Sequence, residues 1–375
     1  MSVSTTAGIS APFKADHVGS LLRPAALLEI RCKFKAKLAT AGQLKDAEDS
    51  AIKQAIRRQI DVGLLSITDG EMRRDWWHLD FLEGFDGISL RPSVAMNFKQ
   101  EEEIPPTAFV SGKIRLTRPN MVSHFEFLEA NLPAGDKALA KFTIPSPAMS
   151  HLRSGRNGIP AALYPDQEQY WEDLGAGYRK AIADLYAAGC RYLQIDDVTF
   201  SYLADEKVQS MVRANGDDPM QLHKTYAKAV NLALRDRPAD MTVTMHTCRG
   251  NFKSTWVSDT PYEAAIMESM FSTNVDAYFM EFDSARAGGF EVLRLLPSDK
   301  KVVLGLVTTK VGELETADAI KRRIADAAKL VPLERLALSP QCGFSSTHHG
   351  NHLSELDQWK KLEFIVKVAS EVWSS

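Results

Sequence analysis

Residues 241–248, with the sequence MTVTMHTC, form a run of β-branched and apolar residues that ends in a histidine and a cysteine. Such a run is typical of a buried β-strand. Seven further runs of similar character are spaced along the chain, and most of them end in polar residues. They span residues 15–20, 64–71, 141–147, 191–197, 276–283, 302–307 and 335–343. The sequence therefore predicts eight strands.

Amphipathic segments separate several of these runs. Apolar residues recur at helical spacing over residues 218–236, 260–271, 315–331 and 353–373, and Thr260 with Pro261 favours a helix start at that point. Strands that alternate with helices form right-handed βαβ units and a parallel sheet. Eight such units predict an α/β fold, a single (β/α)8 barrel of the TIM type. A doubly wound sheet is the alternative, but no G-x-G-x-x-G follows the first strand.

The 375 residues contain no repeat and no linker that would divide the chain. We expect residues 1–12 to form a disordered leader and residues 13–375 to form one catalytic barrel. The stretch from about 84 to 140 is too long for a single crossover helix, and residues 107–116 are typical of a strand. An inserted hairpin and helix near the barrel mouth is therefore expected.

Composition excludes several classes of protein. The net charge of −3 argues against nucleic-acid or membrane binding by bulk electrostatics. The N-terminus does not have the pattern of a secretory signal, and no apolar run approaches the length of a transmembrane helix. Four cysteines in a chain of this length are no disulfide framework, so a reducing cytoplasm is expected. Two of the four, Cys32 and Cys190, are assigned no role.

Polar side chains gather at or just after the carboxyl ends of the predicted strands. In a (β/α)8 barrel this face carries the active site. Several acids and two cysteines at one face are hard to explain by packing, so the sequence predicts a site at the barrel mouth. The residues are His17, Ser20, Asp69, Glu71, Asp196, Asp197, His246, Cys248, Glu281, Asp283 and Cys342.

A metal-binding set is present among these residues. His246 and Cys248 are two positions apart, so on a strand both face the same side. Glu281 ends another predicted strand, and Cys342 follows the last one. Together they offer an imidazole nitrogen, two thiolates and a carboxylate oxygen, which suit zinc. On spacing alone, the favoured interpretation of each cysteine is a small buried residue or an idle thiol, because the four residues are scattered and match no zinc-finger pattern.

Three motifs with their flanking residues resemble the zinc-binding half of cobalamin-independent methionine synthase. They are HTCRGNF at 246–252, MEFDSAR at 280–286 and SPQCG at 339–343. The resemblance begins at ADHVGSLLRP and extends to the C-terminal helix, and it covers only the catalytic C-terminal half of the long family members. It implies one zinc ion per chain, held by His246, Cys248, Glu281 and Cys342.

The resemblance also implies an activity, that of a 5-methyltetrahydropteroyltriglutamate–homocysteine methyltransferase. The zinc would deprotonate the homocysteine thiol, which attacks the methyl group of a 5-methyltetrahydrofolate and forms methionine. Glu281, the hardest of the four ligands, is expected to loosen and admit the substrate. The residues that would contact the amino acid are Val18, Gly19, Ser20, Glu71 and Asp196.

These contacts are chemically reasonable. Glu71 and Asp196 could pair with the ammonium group, and Gly19 and Ser20 could donate to the carboxylate. The plainer interpretation is that Ser20 caps a helix and that an acid such as Asp196 or Asp197 caps the following loop.

The donor side departs from the family pattern. Long members place a histidine acid just after the seventh strand, where this chain has Thr308, Thr309 and Lys310. A leaving nitrogen needs a proton, and a lysine is a poor acid near neutral pH unless its pKa is lowered. The alternatives for the general acid are the loop histidines, His348, His349 and His352.

The stretch GEMRRDWWHLDF, residues 70–81, offers candidates for binding the methyl donor. Arg73 and Arg74 could bind an anionic tail, and Trp76 and Trp77 could stack a pterin. The alternatives are a solvated arginine pair and tryptophans that pack a lid.

Four other functions remain open from the sequence. The protein could alkylate another thiol, as epoxyalkane–coenzyme M transferases do, or take its methyl group from a corrinoid protein partner. It could be a metal-free barrel of the uroporphyrinogen-decarboxylase type, which would leave Cys248, Glu281 and Cys342 without a reason. It could be a catalytically silent protein that binds zinc or thiols. The sequence does not predict an oligomeric state.

Overall fold

The computed structural model of the protein describes residues 11–92, 106–135 and 137–373. Its strands are β1 (Ser66–Ile67), β2 (Asp86–Arg91), β3 (Thr107–Arg115), β4 (Leu139–Pro145), β5 (Tyr192–Asp197), β6 (Thr242–Thr247), β7 (Ala277–Glu281), β8 (Lys301–Val307) and β9 (Leu336–Pro340). Its helices are α1 (Ala25–Lys35), α2 (Ala41–Asp61), α3 (Leu79–Leu82), α4 (Val122–Ala130), α5 (Gln167–Ala187), α6 (Thr199–Tyr202), α7 (Glu206–Ala214), α8 (Pro219–Leu234), α9 (Ala264–Phe271), α10 (Ala317–Ala328) and α11 (Glu355–Trp373).

Seven strands form one parallel sheet in the order β1-β4-β5-β6-β7-β8-β9. The predicted first strand, residues 15–20, is called the first segment below, and it runs beside β9. There the Asp16 amide donates to the Leu338 carbonyl at 3.0 Å, and the Leu338 amide donates to the Lys14 carbonyl at 2.9 Å. All eight predicted runs therefore take strand positions around the sheet. This confirms the predicted α/β fold of the TIM-barrel type.

On its other side, the first segment meets the β1 region largely through side chains. Ser66 Oγ donates to Asp16 Oδ1 at 2.7 Å. Just beyond β1, Thr68 Oγ1 donates to the Gly19 carbonyl at 2.7 Å. These hydrogen bonds take the place of a regular strand ladder, so the first segment links the two ends of the sheet.

A buried ion pair lies inside the barrel beside the first segment. Lys141 Nζ is 3.1 Å from Asp16 Oδ1, and neither side chain is exposed to solvent. The Tyr192 hydroxyl donates to Asp16 Oδ2 at 2.7 Å, and Lys141 Nζ lies 4.0 Å from the centre of the Phe279 ring. The pair therefore ties the first segment to β4 and β5 without backbone hydrogen bonds.

Three of the four predicted helices are found close to their predicted positions, as α8, α10 and α11. Two begin at a capping side chain: Asp218 accepts from the Met220 amide at 2.9 Å, and Thr316 accepts from the Ala319 amide at 3.3 Å. None of the described helices combines the length and the apolar character that crossing a membrane requires.

The fourth helix, α9, does not begin where the sequence predicts. Its N-cap is Glu263 rather than Thr260, so the expected start at Pro261 is wrong. A buried arginine from the loop after β6, Arg249, donates to the Thr260 carbonyl. Pro261 also approaches Gly288, where an added Cβ would lie 2.9 Å from Pro261 Cβ. These long-range contacts hold residues 260–262 outside the helix.

The stretch predicted as an insertion contains an antiparallel hairpin, β2 with β3, followed by α4. Residues 93–105 lie outside the described part of the chain. The hairpin packs against α5, and the Ile114 amide donates to the Tyr164 hydroxyl at 2.7 Å. Of the predicted leader, residues 1–10 lie outside the described residues, and Ala11 packs with Phe13 in a buried apolar cluster.

The Asp16–Lys141 pair generates a stability prediction. Asp16→Asn leaves the Lys141 ammonium buried without its counter-charge, so the free energy of unfolding should fall by about 3–5 kcal/mol in chemical denaturation. The double variant Asp16→Asn/Lys141→Met should recover part of that loss. As a control, Glu29→Gln disrupts the exposed Glu29–Lys33 pair and should leave the free energy of unfolding nearly unchanged, because solvent screens that pair. A double variant as unstable as the single one would contradict the explanation.

Candidate metal centre

The parallel sheet brings the four predicted metal ligands together. His246 lies near the end of β6, Cys248 follows that strand, Glu281 ends β7, and Cys342 follows β9. One donor atom from each residue can be chosen so that all four lie within 4.8 Å of one another, and all four residues are buried. The cluster sits at the carboxyl ends of the strands, where the sequence predicts it.

The geometry and chemistry of this cluster fit zinc. A tetrahedral zinc with ligand bonds of about 2.0–2.3 Å places its donor atoms roughly 3.3–3.8 Å apart. The Sγ atoms of Cys248 and Cys342 are 3.4 Å apart. Both ring nitrogens of His246 are buried without a hydrogen-bond partner, an arrangement that is costly unless a ligand binds there. Nitrogen, sulfur and oxygen donors together are the set that zinc accepts.

The two thiols act as a pair. The hydrogen bond between Cys248 and Cys342 lowers the pKa of Cys342 well below its usual range and raises that of Cys248 well above it. One sulfur therefore gives up its proton readily while the other keeps it. A metal ion would replace that remaining proton.

Glu281 is held from several sides by residues that sequence reasoning did not identify. Its Oε1 accepts from the Arg249 amide at 3.2 Å, and its Oε2 lies 3.3 Å from Arg286 Nη2. The Tyr262 hydroxyl donates to the Glu281 carbonyl at 3.2 Å and accepts from its amide at 3.0 Å. Arg249 and Arg286 stand inside the quoted motifs, but a motif carries no signal for where a loop arginine points.

A cavity at the barrel mouth adjoins the cluster. His246, Cys248 and Cys342 line it. So do four of the five predicted substrate residues, Val18, Ser20, Glu71 and Asp196. The fifth, Gly19, has φ +137°, and a Cβ there would meet Thr143 Cγ2 at 2.9 Å, so the first segment needs glycine at this close approach. Ser20 does not cap a helix, because α1 begins after Pro24.

Two buried carboxylates in the cavity lining favour the binding of a cation. Glu71 Oε1 accepts from Thr143 Oγ1 at 2.9 Å, whereas Glu71 Oε2 is buried without a hydrogen-bond partner. Burial raises the pKa of Glu71. Burial, and after it the charge of Glu71, raises the pKa of Asp196 to about 7. A bound cation would relieve both effects.

Asp197 has the structural role that the sequence left open. Its Oδ1 accepts from the amides of Thr199 at 2.5 Å and Phe200 at 3.2 Å and so caps the turn that follows β5. Although Asp197 also lines the cavity, this capping oxygen is engaged by the backbone.

The two candidate anion-binding arginines do not reach the cavity. Arg73 Nη1 and Nη2 pair with Glu48 at 3.1 Å and Asp49 at 2.6 Å on α2. Arg74 is buried, donates to the Thr143 carbonyl at 2.7 Å, and lies 3.5 Å from Glu71. Arg74 therefore supports Glu71 from behind, and Arg73 is held by its ion pairs with α2.

The mouth is lined instead by an arginine that sequence reasoning missed, Arg153. It follows the 3-10 turn after β4, and no strand-end pattern points to it. The predicted tryptophans, Trp76 and Trp77, do line the cavity. Tyr202 from α6 completes this side.

The candidate acids lie behind the lining. Lys310 Nζ donates to the Gly250 carbonyl at 3.4 Å, Asn251 Oδ1 at 3.2 Å and the Thr255 carbonyl at 3.3 Å, which anchors the loop after Cys248.

Two of the loop histidines pack behind a tryptophan that lines the cavity and do not line it themselves. The rings of His348 and His349 pack at 5.7 and 6.0 Å from that of Trp76. His352 is exposed. Among the described residues, none of the four candidate acids lines the cavity.

Fold and site together define an α/β-barrel protein with a candidate metal site at the barrel mouth and a cavity for a ligand beside it. The family model described as "Cobalamin-independent synthase, Catalytic domain" matches residues 13–369 of the chain. The protein therefore belongs to the cobalamin-independent methionine synthase family, a family of methyltransferases.

Individual relatives and solved structures are similar to this chain over most of its length. Uncharacterized protein YxjH of Bacillus subtilis strain 168 is 44% identical over 365 residues, which cover 97% of this chain and 95% of that protein. The methionine synthase of Methanothermobacter marburgensis is 24% identical over 87% of this chain and 90% of its own length. A putative vitamin-B12 independent methionine synthase from Listeria monocytogenes superposes with a TM-score of 0.77 at 38% identity, covering 98% of this chain and 100% of that one.

The cluster generates a metal-binding prediction. Purified protein should carry about one zinc per chain by elemental analysis. Cys342→Ser should weaken zinc binding by more than about tenfold, because even the loss of an outer partner of a ligand costs that much. Cys32→Ser is the matched control, since Cys32 is exposed and far from the cluster in sequence, and it should retain the zinc. Equal zinc content in both variants would refute the assignment.

Proposed function

We propose that this protein is a zinc-dependent methyltransferase that methylates the thiol of homocysteine with a 5-methyltetrahydrofolate and so forms methionine. One observation carries the proposal: three of the four predicted donors, His246, Cys248 and Cys342, line the same cavity as Glu71 and Asp196. Zinc bound by His246, Cys248, Glu281 and Cys342 supplies the chemistry of thiol deprotonation. Family membership and the methionine synthase of M. marburgensis support the assignment.

The amino acid end of the substrate would bind across from the cluster. The buried Oε2 of Glu71 and the carboxylate of Asp196 hold the ammonium group, whose charge offsets their mutual repulsion. Ser20 donates its hydroxyl to the substrate carboxylate. The Ser20 side chain packs closely against Gly343, where an added Cβ would come within 1.9 Å of Ser20 Oγ. In this arrangement the chain fixes both charged groups of homocysteine and leaves its thiol directed at the cluster.

The same carboxylates discriminate between thiols. Coenzyme M carries a sulfonate where homocysteine carries an ammonium and a carboxylate. Two buried carboxylates repel a sulfonate, whereas they attract the ammonium group of homocysteine. Homocysteine is therefore favoured over coenzyme M as the acceptor.

The methyl donor would enter over the opposite wall. Trp76 is buried and Trp77 is half-buried, and both line the cavity, where aromatic rings suit a planar pterin. Arg153 takes the role first assigned to Arg73 and Arg74 and meets the anionic part of the donor. Residues 13–375 act in this proposal as one catalytic barrel, in the cytoplasm, where the two ligand cysteines stay reduced.

A specific observation favours a second candidate donor. None of Lys310, His348 and His349 lines the cavity in the described part of the chain. A tetrahydrofolate leaves poorly without a proton, whereas a methylated corrinoid leaves as a reduced metal complex and needs no acid. A corrinoid-bound methyl group is therefore the alternative to the folate.

A turnover assay tests the proposed function directly. Zinc-loaded protein supplied with homocysteine and 5-methyltetrahydropteroyltriglutamate should form methionine, and the metal-free protein should lose more than about 99% of this rate. Parallel reactions contain methylcobalamin as the donor or coenzyme M as the acceptor. Methionine from methylcobalamin alone would select the corrinoid donor, and faster methylation of coenzyme M would reject homocysteine as the substrate.

The substrate contacts are tested by kinetics. Glu71→Gln should raise the KM for homocysteine by about 10–100-fold, because it removes one charge-assisted hydrogen bond worth roughly 1.5–3 kcal/mol. The kcat should change less, because the ammonium lies away from the reacting sulfur. Glu83→Gln, an exposed carboxylate on the same stretch, is the control and should leave both constants unchanged. A normal KM in Glu71→Gln would remove Glu71 from the binding site.

A further inference from the structure

Glu281 differs from the other three ligands in the cations and donors that surround it. Both of its carboxylate oxygens already have protein partners, the Arg249 amide at 3.2 Å and Arg286 Nη2 at 3.3 Å. By contrast, the ring nitrogens of His246 have no hydrogen-bond partner, and the two sulfurs contact each other. Glu281 is therefore the ligand for which another cation competes most directly with a metal.

Arg286 is held firmly in this position. Its Nη2 lies 2.9 Å from Asp283 Oδ1, and its Nε donates to Ser284 Oγ at 3.0 Å. Its guanidinium stacks 4.8 Å from the centre of the Trp256 ring. The Arg286 side chain is 9% exposed and that of Glu281 is not exposed at all, so solvent screens their attraction poorly. The guanidinium is fixed where it can share the carboxylate with a metal.

We propose that Arg286 is a positioning residue for the metal ligand Glu281. It weakens the hold of this carboxylate on zinc and receives the carboxylate when a substrate thiol takes its place. The inference rests on the proposed function, because it needs a zinc ion and an incoming thiol. It explains how one ligand of the four gives way while the imidazole and the two thiolates stay.

The direction in which zinc affinity changes when Arg286 is removed separates this role from a merely structural one. A partner that only orients a ligand lowers metal affinity by about 10–100-fold when it is removed. A cation that competes for the ligand raises metal affinity when it is removed. Loss of Arg286 also leaves Asp283 without its counter-charge beside the cluster, which attracts zinc further.

The experiment measures zinc affinity by competition with a chelator. Arg286→Ala should bind zinc about tenfold more tightly than the wild type and show a KM for homocysteine raised about tenfold, because Glu281 gives way less readily. Arg286→Lys keeps the charge and should stay close to the wild type in both quantities. Arg294→Ala removes an exposed arginine a few residues further along the chain and should change neither.

A double-mutant cycle guards against a folding defect. Glu281→Gln removes the carboxylate charge through which Arg286 mainly acts, so adding Arg286→Ala to it should change the zinc affinity much less than the same substitution does in the wild type. Weaker or unchanged zinc binding in the single variant Arg286→Ala, or an equal effect of Arg286→Ala with and without Glu281, would overturn this inference. A wild-type protein that takes up no zinc would overturn the proposed function itself.

Discussion

Four donor atoms from three strand ends must meet within a few ångströms, and the register of the parallel sheet brings them together. In the ladder, His246 pairs with Asp196 of β5 and with Phe279 of β7, two residues before Glu281. Glu281 in turn pairs with Gly305 of β8, where an added Cβ would meet the Gln341 backbone at 2.7 Å. A slip of one residue would turn His246 to the other face of the sheet. The candidate metal site is therefore a property of the sheet register.

The substrate side of the cavity depends instead on the contacts that hold the first segment in place. The first segment carries the Gly19–Ser20 turn, and side-chain hydrogen bonds and the buried Asp16–Lys141 pair hold it between β9 and the β1 region. Burying charges costs free energy, and such a pair is strong only while both partners are present. The consequence of this arrangement is geometric, because the segment that would bind the amino acid is placed next to strands that carry the candidate metal ligands. The contacts that hold the first segment therefore matter both for stability and for the proposed chemistry.

Much of the fold and of the candidate site follows from local pattern. Strand period, strand–helix alternation and the rule that barrel sites lie at carboxyl ends predict the eight strands and the cluster at the mouth. Local sequence pattern fails to predict the structure where a contact with a residue distant in sequence determines it. Arg249 holds Thr260 out of α9. Arg73 turns to Glu48 and Asp49 on α2, although its neighbour Arg74 lies beside Glu71.

The sequence by itself determined the strand pattern and the barrel class, because side-chain alternation is written along the chain. It predicted the four candidate donors through the resemblance of their motifs to the family, since their spacing alone did not decide them. Tertiary structure alone decided which loop residues enter the cavity. It brought Arg153 to the lining, placed Lys310 behind it as a loop anchor, and set Arg286 against Glu281. The physical reason is that a loop side chain takes its direction from hydrogen bonds and ion pairs with residues far away in sequence, and local periodicity carries no record of those partners.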